Sequence, residues 1–186
     1  MDNKPRCAWA KGAENMIRYH DDEWGRPCHD DRVLFEFLLL EGFQAGLSWA
    51  CVLNKRENFR RALDGFDPVA IAQYGEDKIE TLLQDASIIR SRRKLEAAVG
   101  NAKAFLQIQK EFGSFDAYLW GFTEGKTVHS RNIGAPVSSP LSDAVSKDLK
   151  KRGMKYVGTV ILYSYLQAMG VVNDHEETCF CANIQK

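Results

Sequence analysis

Residues 33–49 read V-L-F-E-F-L-L-L-E-G-F-Q-A-G-L-S-W, and this stretch decides the fold. The first part is mostly apolar with helical spacing, which predicts a buried helix that runs into the carboxylate of Glu41. Gly42 and Gly46 then interrupt the helix, and Trp49 follows. A carboxylate and aromatic rings both attract positive charge, so the stretch predicts a pocket for a flat, electron-poor ligand. The alternative is a helix end at which Glu41 faces water, because glutamate is rarely buried without a partner.

The composition indicates one domain with a substantial core, since the chain has 186 residues of which 45% are hydrophobic. Lys+Arg and Asp+Glu are balanced at 25 each, so the net charge points to no partner. Basic residues are nevertheless grouped, and grouped charge can give a neutral protein one basic face. The alternative is ordinary solvated helix faces. The basic groups lie at 55–56, 60–61, 90–94 and 147–152.

No export signal is evident, because residues 1–6 are polar and no apolar run follows them. The longest apolar stretch, 157–172, has 16 residues. It is shorter than the roughly 20 residues that span a bilayer and therefore predicts a buried helix. We expect a cytoplasmic protein without a membrane partner. The five cysteines are then expected to be reduced thiols or metal ligands rather than disulfides.

Helical patterns cover most of the chain, and strand signals are weak, so the predicted fold class is all-α. Asp67-Pro68 is a typical helix start, with a capping side chain followed by proline. Gly113 and Gly153 mark the ends of two longer helices. The segment 126–140 is extended and rich in turns, which predicts a long loop between two helical lobes. Helices are predicted over about 67–74, 78–85, 95–112 and 142–152.

Four candidate metal ligands lie near the two ends of the chain, Cys7 and His20 at one end and His175 and Cys179 at the other. The spacing of the second pair places both side chains on one face of a helical turn. Two cysteines and two histidines fill the tetrahedral shell of zinc and leave no open position, so such a site is structural. It would also hold together two chain ends that otherwise fray.

Other interpretations of these residues stay open at this point. The second pair fits a helix-capping histidine beside a buried thiol, which is inert in chemistry. Cys181 can substitute for Cys179 as a ligand, and Cys28 and His29 can compete near the other end. Cys51 lies within a helical pattern and is interpreted as part of the core.

Several long motifs resemble the type I 3-methyladenine DNA glycosylases of bacteria. They occur in order along nearly the whole chain, which makes the set far more specific than any single pattern. The motifs are Cys7-x-Trp9, Y-H-D-D-E-W-G at 19–25, residues 41–49, K-R-E-N at 55–58, D-A-S-I-I-R at 85–90, G-N-A at 100–102, K-R-G-M-K-Y-V-G-T at 151–159 and V-N-D-H at 172–175.

The resemblance implies a helix-hairpin-helix DNA-repair fold in one domain, 1–186. It implies that the terminal segments 1–25 and 170–186 form a small zinc-bound lobe. The segment 30–160 is then a mostly helical core with the hairpin near 85–94. The zinc ligands implied are Cys7, His20, His175 and Cys179.

The resemblance also implies a pocket for a damaged base. A carboxylate contacts the base, two aromatic walls enclose it, and a third aromatic residue lies near. A small turn probes the DNA where the base leaves the stack. The residues so implied are Glu41 for the carboxylate, Tyr19 and Trp49 for the walls, Trp9 for the neighbour, and Gly46 and Leu47 for the turn.

This chain departs from the family pattern at the hairpin and near the pocket. It has Ser87 and Arg93 where the family usually has glycine, which a tight hairpin can require. It has Met16 where a tyrosine is common. Arg92, Arg93 and Lys94 keep the hairpin basic, and we expect residues 88–94 to hold DNA phosphates.

The function implied is base-excision DNA repair on double-stranded DNA that contains alkylated bases. We expect a monomeric enzyme that hydrolyses the N-glycosidic bond and releases 3-methyladenine. An abasic site remains and the strand stays intact, because no activated lysine is evident. The first alternative is a non-catalytic helix-hairpin-helix module that binds DNA. The second is a metalloenzyme with an open zinc position, against which the four good ligands argue.

Overall fold

The computed structural model describes residues 4–130 and 136–182. Its secondary structure is almost entirely helical, as predicted. The helices are α1 (Glu14–Asp22), α2 (Asp31–Gln44), α3 (Trp49–Asn54), α4 (Arg56–Ala62), α5 (Pro68–Ala72), α6 (Glu76–Gln84), α7 (Arg92–Phe112), α8 (Phe115–Gly121), α9 (Pro140–Lys151) and α10 (Thr159–Ala168). Short 3-10 turns lie at Ala8–Ala10 and Asp64–Phe66, and two-residue strands are β1 (Val128–His129) and β2 (Val172–Asn173).

The helix α2 forms the centre of the core and is buried throughout 34–43. Asp30 caps its start by accepting hydrogen bonds from two backbone N–H groups of the first turn. Apolar residues occur on all its faces, which is the pattern of a helix enclosed by others. The helices α3, α7, α8 and α10 pack around it. The two carboxylates of this stretch, Glu36 and Glu41, are therefore buried with it.

The hairpin predicted near 85–94 falls on the turn 85–91 between α6 and α7 and on the first turn of α7. The N–H of Ser87 donates to Oδ1 of Asp85 at 2.8 Å, and the N–H of Ile88 donates to the Asp85 carbonyl at 3.3 Å. No residue of this turn has a positive φ, so Ser87 fits without strain. Arg93 lies inside the first turn of α7, where helical backbone suits any side chain. The hairpin therefore forms without the two family glycines.

The segment predicted as a long irregular loop contains β1. This strand pairs in parallel with β2, with Val128 opposite Val172 and His129 opposite Asn173. A two-residue strand has no alternating pattern, so the sequence carried no signal for it. Residues 131–135 of the predicted loop lie outside the described residues. The pairing fixes the segment after α8 alongside the segment after α10.

The segment after α1 is fixed to the end of α10. The N–H of Gly25 donates to the carbonyl of Gln167 at 3.0 Å. Gly170 has a φ of +69°, and a Cβ at this position would lie 2.3 Å from the backbone carbon of Arg26. Only glycine allows so close an approach. The contact brings the N-terminal and C-terminal ligand pairs toward each other.

The apolar stretch 157–172 contains α10, which has 10 residues and a mostly buried surface. Among the described residues, no helix combines the length and apolar character that crossing a bilayer requires. The helix predicted over 157–172 is therefore present but shorter, because the stretch ends in a turn and in the first residue of β2.

Candidate active site and metal centre

Glu41 lies in the last turn of α2 and is only 3% exposed. Its Oε2 has no hydrogen-bond partner among the described residues. Burial raises the pKa of this carboxyl to about 8. The interpretation in which Glu41 faces water is therefore wrong. A buried acceptor without a partner is uncommon in folded proteins and marks a place where a donor can enter.

A cluster of aromatic rings that includes Tyr19 lies near this carboxylate. The centroids of Tyr19 and Trp49 are 5.3 Å apart, and Phe37 stacks on Tyr19 at 6.0 Å. The pKa of Tyr19 is raised, first by burial and then by the charge of Glu41, so the phenol and the carboxylate are close. The buried Nε1 of Trp49 also lacks a partner within the described residues. The cluster thus offers an unpaired acceptor, an unpaired donor and aromatic faces.

Phe37 belongs to this aromatic cluster, although sequence reasoning did not single it out. It precedes Glu41 by one helical turn, and such residues share a helix face. That spacing was a usable signal, although an aromatic residue in an apolar run is ordinarily core. Phe37 is in fact also buried and lies 6.2 Å from Trp49 by ring centroids.

Trp9 lies between the aromatic cluster and the terminal histidines. Its ring centroid is 4.9 Å from that of Trp24, 5.3 Å from His20 and 6.1 Å from Tyr19. The side chain is 39% exposed. Trp9 therefore forms the outer edge of the aromatic cluster rather than its floor.

Gly46 and Leu47 form the turn that follows α2. Gly46 has a φ of +79°, in the left-handed region that favours glycine. The N–H of Leu47 donates to the carbonyl of Gln44 at 2.6 Å. The Leu47 side chain is 42% exposed, so this turn presents an apolar side chain to the surroundings.

An ion network centred on the buried residues Arg56 and Glu36 lies beside the aromatic cluster. Arg56 donates from Nε to Glu36 at 2.5 Å and from Nη1 to Glu23 at 2.7 Å. Arg60 pairs with the same Glu36 at 2.9 Å. The Arg56 guanidinium also lies over the Phe37 ring, 4.6 Å from its centroid. No local sequence pattern predicts this network, because its members come from α2, α4 and the residue that follows α1.

The four predicted metal ligands converge, and their donor atoms all lie within 4.8 Å of one another. The Cys7 Sγ lies 3.5 Å from Nδ1 of His175. The Cys179 Sγ lies 3.4 Å from Nε2 of His20 and 3.6 Å from Nδ1 of His175. Tetrahedral zinc, with its usual bond lengths, separates sulfur and nitrogen ligands by about 3.5 Å. The donor set and its spacing therefore fit a structural metal ion.

The surroundings of the cluster also suit a metal ion. Nδ1 of His20 contacts Oδ1 of Asp21 at 2.8 Å, the arrangement by which a carboxylate orients a metal-bound histidine. One backbone N–H donates to each sulfur, both at 3.4 Å. Burial raises the pKa of the Cys7 thiol to about 12. A bound cation reverses that preference, because it stabilises the thiolate directly.

The segment 175–179 is a hydrogen-bonded turn and not the helical turn that the spacing predicted. The N–H of Cys179 donates to the carbonyl of Glu176 at 2.8 Å. His175 and Cys179 still face each other, because this turn brings their side chains together as a helix would.

Among the other cysteines and His29, one residue lies beside the metal-ligand cluster and the rest lie outside it. Cys181 belongs to a second possible donor set with His20 and Asp21. Cys28 donates to the carbonyl of Asp30. His29 lies 2.7 Å from the carboxylate of Asp116. Cys51 lies in α3 but is only half-buried, so it does not belong to the buried core in which it was predicted. Cys28 and His29 do not compete for the cluster.

The basic residues at the hairpin have different partners. Arg92 pairs with Glu76 and with Glu80. Lys94 donates to two backbone carbonyls at the end of α2, at 2.9 and 2.6 Å. Arg90 and Arg93 are exposed and have no ion pair within the described residues. Phosphate contact, expected across 88–94, is therefore open chiefly to these two.

Comparisons with known proteins agree along nearly the whole chain. The profile of the family described as methyladenine glycosylase matches residues 9–182. The chain is 48% identical to DNA-3-methyladenine glycosylase 1 of Escherichia coli (strain K12), over 95% of this chain and 96% of that protein. A crystal structure of 3-methyladenine DNA glycosylase I superimposes with a TM-score of 0.92 and 48% identity, covering 95% of this chain and 99% of the other.

A second solved structure is a substituted 3-methyladenine DNA glycosylase I in complex with 3-methyladenine. It superimposes with a TM-score of 0.90 at 34% identity and covers 94% of this chain and 95% of the other. The mostly helical fold, with its hairpin and its terminal Cys/His cluster, is that of the helix-hairpin-helix DNA glycosylases. Within that class, this chain belongs to the methyladenine glycosylase family.

Proposed function

We propose that this protein releases 3-methyladenine from alkylated double-stranded DNA in base-excision repair. It hydrolyses the N-glycosidic bond and leaves an abasic site in an intact strand. The observation that carries the proposal is Glu41, buried without a partner on Oε2 beside aromatic rings. The E. coli relative is named for this activity, and a solved relative was crystallised with this base.

Recognition of the base rests on charge. An enzyme that acts on a base in a duplex takes it out of the stack. Methylation of N3 makes adenine cationic, which also weakens the glycosidic bond because the base departs neutral. Glu41 accepts hydrogen bonds from the edge of the cationic base, and its proton is lost as the cation binds. Unmethylated adenine lacks the charge and gains less from a desolvated carboxylate.

The aromatic residues read the face of the base. Tyr19 and Trp49 provide the walls, and Trp9 closes the outer edge. The rings of Tyr19 and Trp49 lie 5.3 Å apart by centroids, whereas a base between two rings needs about 7 Å at ordinary contact distance. The rings therefore separate when a base enters between them. The exposed turn of Gly46 and Leu47 occupies the gap that the base leaves in the duplex.

The hydrolysis needs little assistance from a general base. Many enzymes of this fold supply an aspartate to support the oxocarbenium-like sugar, but Asn101 occupies the expected region here. Its amide is 4% exposed and bonds to the backbone of Lys155 at 2.9 and 2.8 Å, which is a structural role. Water attacks the sugar as the cationic base departs, and Glu41 acts in binding rather than as the base.

Strand cleavage requires a lysine that can attack the sugar. Burial lowers the pKa of Lys94, but its Nζ is held by the carbonyls of Phe43 and Ala45. This ammonium is a structural donor. The product is accordingly an abasic site with both strands continuous.

The metal in the terminal cluster is proposed to be zinc with a structural role. Cys7, His20, His175 and Cys179 supply all four positions of a tetrahedral shell, so no position remains for substrate. The ion would hold the segments 1–25 and 170–186 as one lobe beside the helical core 30–160, within a single domain. We propose that the protein acts as a monomer on alkylated duplex DNA.

The test is chromatography of the bases released from methylated DNA. The wild-type protein should release 3-methyladenine, and Glu41→Gln should fold normally and turn over about 10- to 100-fold more slowly. This is the usual range for losing a hydrogen bond to a charged group. Glu14→Gln, at an exposed site on α1, is the matched control and should retain full activity.

Two outcomes would overturn the proposal. Binding of methylated duplex without base release would favour the non-catalytic helix-hairpin-helix module. Full activity of Glu41→Gln would remove the role assigned to this carboxylate, even if the wild-type protein releases the base.

A further inference from the structure

A basic groove of about 530 Å³ lies apart from the base pocket. The first turns of α7 form one wall, and the other consists of the end of α9 and the loop that leads to α10. Neither Glu41 nor the aromatic pocket residues Tyr19 and Trp49 line it. We call this feature the basic groove, and its charged lining residues are Arg93, Glu96, Lys150 and Lys155.

The charges of the basic groove are unbalanced. Arg93, Lys150 and Lys155 are exposed, and within the described residues none of them forms an ion pair. Glu96 is the acidic residue of the lining, and its carboxylate lies 3.8 Å from Arg92 outside the groove. Three cations that do not pair with the protein are available to an anionic partner.

The wall opposite α7 is held rigidly before any partner binds. Asn101 bonds to both the N–H and the carbonyl of Lys155, at 2.8 and 2.9 Å. Ser146 donates to the carbonyl of Val157 at 2.7 Å. Tyr156, between them, has a φ of +57°, a strained value for a residue with a side chain. The chain maintains this strained loop through bonds from two helices, so the position of Lys155 is fixed.

The basic groove lies next to the elements that handle DNA in the proposed function. Arg93 follows the hairpin turn directly. Tyr156 is adjacent to Gly42, since a Cβ on that glycine would lie 3.4 Å from the Tyr156 Cβ. Gly42 follows Glu41 in α2. A duplex whose damaged base is in the pocket therefore passes close to this groove.

We propose that the basic groove binds the phosphodiester backbone of the duplex, as a contact additional to the hairpin turn. Lys150 and Lys155 supply it from the α9–α10 side and Arg93 from the α7 side. This inference rests on the proposed function for its partner. Phosphate contacts of this kind fix the register of the duplex and carry no sequence information.

The test is equilibrium binding of the full-length protein to an undamaged duplex of about 20 base pairs, measured by fluorescence anisotropy over a series of salt concentrations. Lys150→Gln, Lys155→Gln and Arg93→Gln should each weaken binding about five- to tenfold at 0.1 M salt. Each should also reduce the salt slope by about 1. The triple variant should reduce the slope by about 3.

Two further variants separate this role from a general effect of charge or folding. Lys110→Gln removes an exposed lysine about 25 Å further along α7, by helical rise, and should bind like wild type. Glu96→Gln removes the acidic group of the basic groove and should bind about twofold more tightly or better. A gain in affinity cannot result from misfolding.

The proposal is overturned if the three cation variants keep the affinity and salt slope of Lys110→Gln. Base release at saturating enzyme distinguishes the two proposals. The groove variants should need about five- to tenfold more enzyme than wild type for half-maximal release of 3-methyladenine, whereas Glu41→Gln should slow release even at saturating enzyme. A wild-type protein that releases no base would refute the proposed function while the binding comparison still decides the role of the groove.

Discussion

Two carboxylates on α2 are buried to the same degree but differ in their partners. Glu36 and Glu41 are 5% and 3% exposed. Glu36 accepts hydrogen bonds from Arg56 and Arg60, whereas Oε2 of Glu41 has no partner in the described residues. Folding alone would favour a compensated charge at both positions. The protein nevertheless keeps an unpaired buried carboxyl at Glu41. Such a loss of stability is expected where a residue is used for binding.

The largest predicted effect concerns the metal centre, which metal removal should convert from a compensated cluster to an uncompensated one. With a metal ion bound, the buried ligands of the cluster have a positively charged partner, as Glu36 has. Without the ion they are buried without a partner, as Glu41 is. Chelation of the purified protein should lower stability by several kcal/mol, because metal binding energy is folding energy at such sites. Thermal unfolding with metal analysis measures both quantities.

Cys7→Ser should reproduce the chelator effect and lose the stoichiometric metal. Cys28→Ser is the matched control, since Cys28 lies outside the cluster. Purified protein without metal, together with equal stability of the two variants, would contradict the structural metal.

The second prediction is that Glu41 lowers the stability of the folded protein by an amount that grows as the pH rises. Its pKa is about 8 in the folded protein and near 4.3 when unfolded. The folded state therefore holds a proton that the unfolded state has lost, and stability falls as pH rises between these values. Glu41→Gln removes this titration, so it should become more stable than wild type by up to about 5 kcal/mol above pH 8.

Urea unfolding at pH 5, 7 and 9 gives the comparison. The difference between Glu41→Gln and wild type should grow by roughly 1.4 kcal/mol per pH unit in this window. Glu14→Gln should show no such growth, because the residue is exposed. A constant difference from pH 5 to 9 would mean that Glu41 titrates normally and has a partner.

The third prediction concerns Glu36, which should resemble the unpaired Glu41 when its buried partner is removed. Arg56→Met removes the buried partner and leaves the Glu36 charge to Arg60, whose side chain is 38% exposed. Breaking a buried pair on one side is strongly destabilising, so we expect a loss of about 3 kcal/mol. Urea unfolding at pH 7 measures it. Arg61→Met is the control, since Arg61 is exposed, and a loss no larger than its loss would show that the network is unimportant.

Local sequence patterns predicted one of these two carboxylates and missed the other. Glu41 stood out because the apolar run, the glycines and Trp49 lie within one short stretch. Arg56 and Glu36 are 20 residues apart and on different helices. No periodicity links them, and charge patterning treats Arg56 as one more exposed cation. Pairing across a fold depends on packing angles that the sequence does not display.

The fold itself was predictable where local patterns determine it and not where distant segments pair. The helix limits at Pro68 and Gly113 follow from caps that act within one turn. The convergence of the two chain ends was proposed from the Cys and His residues themselves, and the family resemblance selected the ligand set, because spacing alone left other cysteines open. The pairing of β1 with β2 was missed, since two residues carry no pattern. At the hairpin, neighbours in sequence differ, with Arg92 paired to glutamates and Arg93 exposed.

The smallest predicted effect tests whether the ion network around Glu36 positions the aromatic cluster near Glu41. Phe37 joins them, with the Arg56 guanidinium over its ring and Tyr19 stacked at 6.0 Å. Phe37→Leu keeps an apolar side chain but removes both ring interactions, each of which contributes about 1 kcal/mol. We expect single-turnover release of 3-methyladenine to slow about fivefold. Phe35→Leu is the matched control, because Phe35 packs against Phe105 away from the pocket.

Both leucine variants should lose similar stability, as each removes one buried ring from α2. Only Phe37→Leu should slow the release of 3-methyladenine, because only the Phe37 ring contacts both the Arg56 guanidinium and Tyr19. Equal rates for the two variants would show that the pocket is positioned without the network. In that case the contrast between Glu36 and Glu41 would concern stability alone, and Glu41 would depend on α2 itself for its placement.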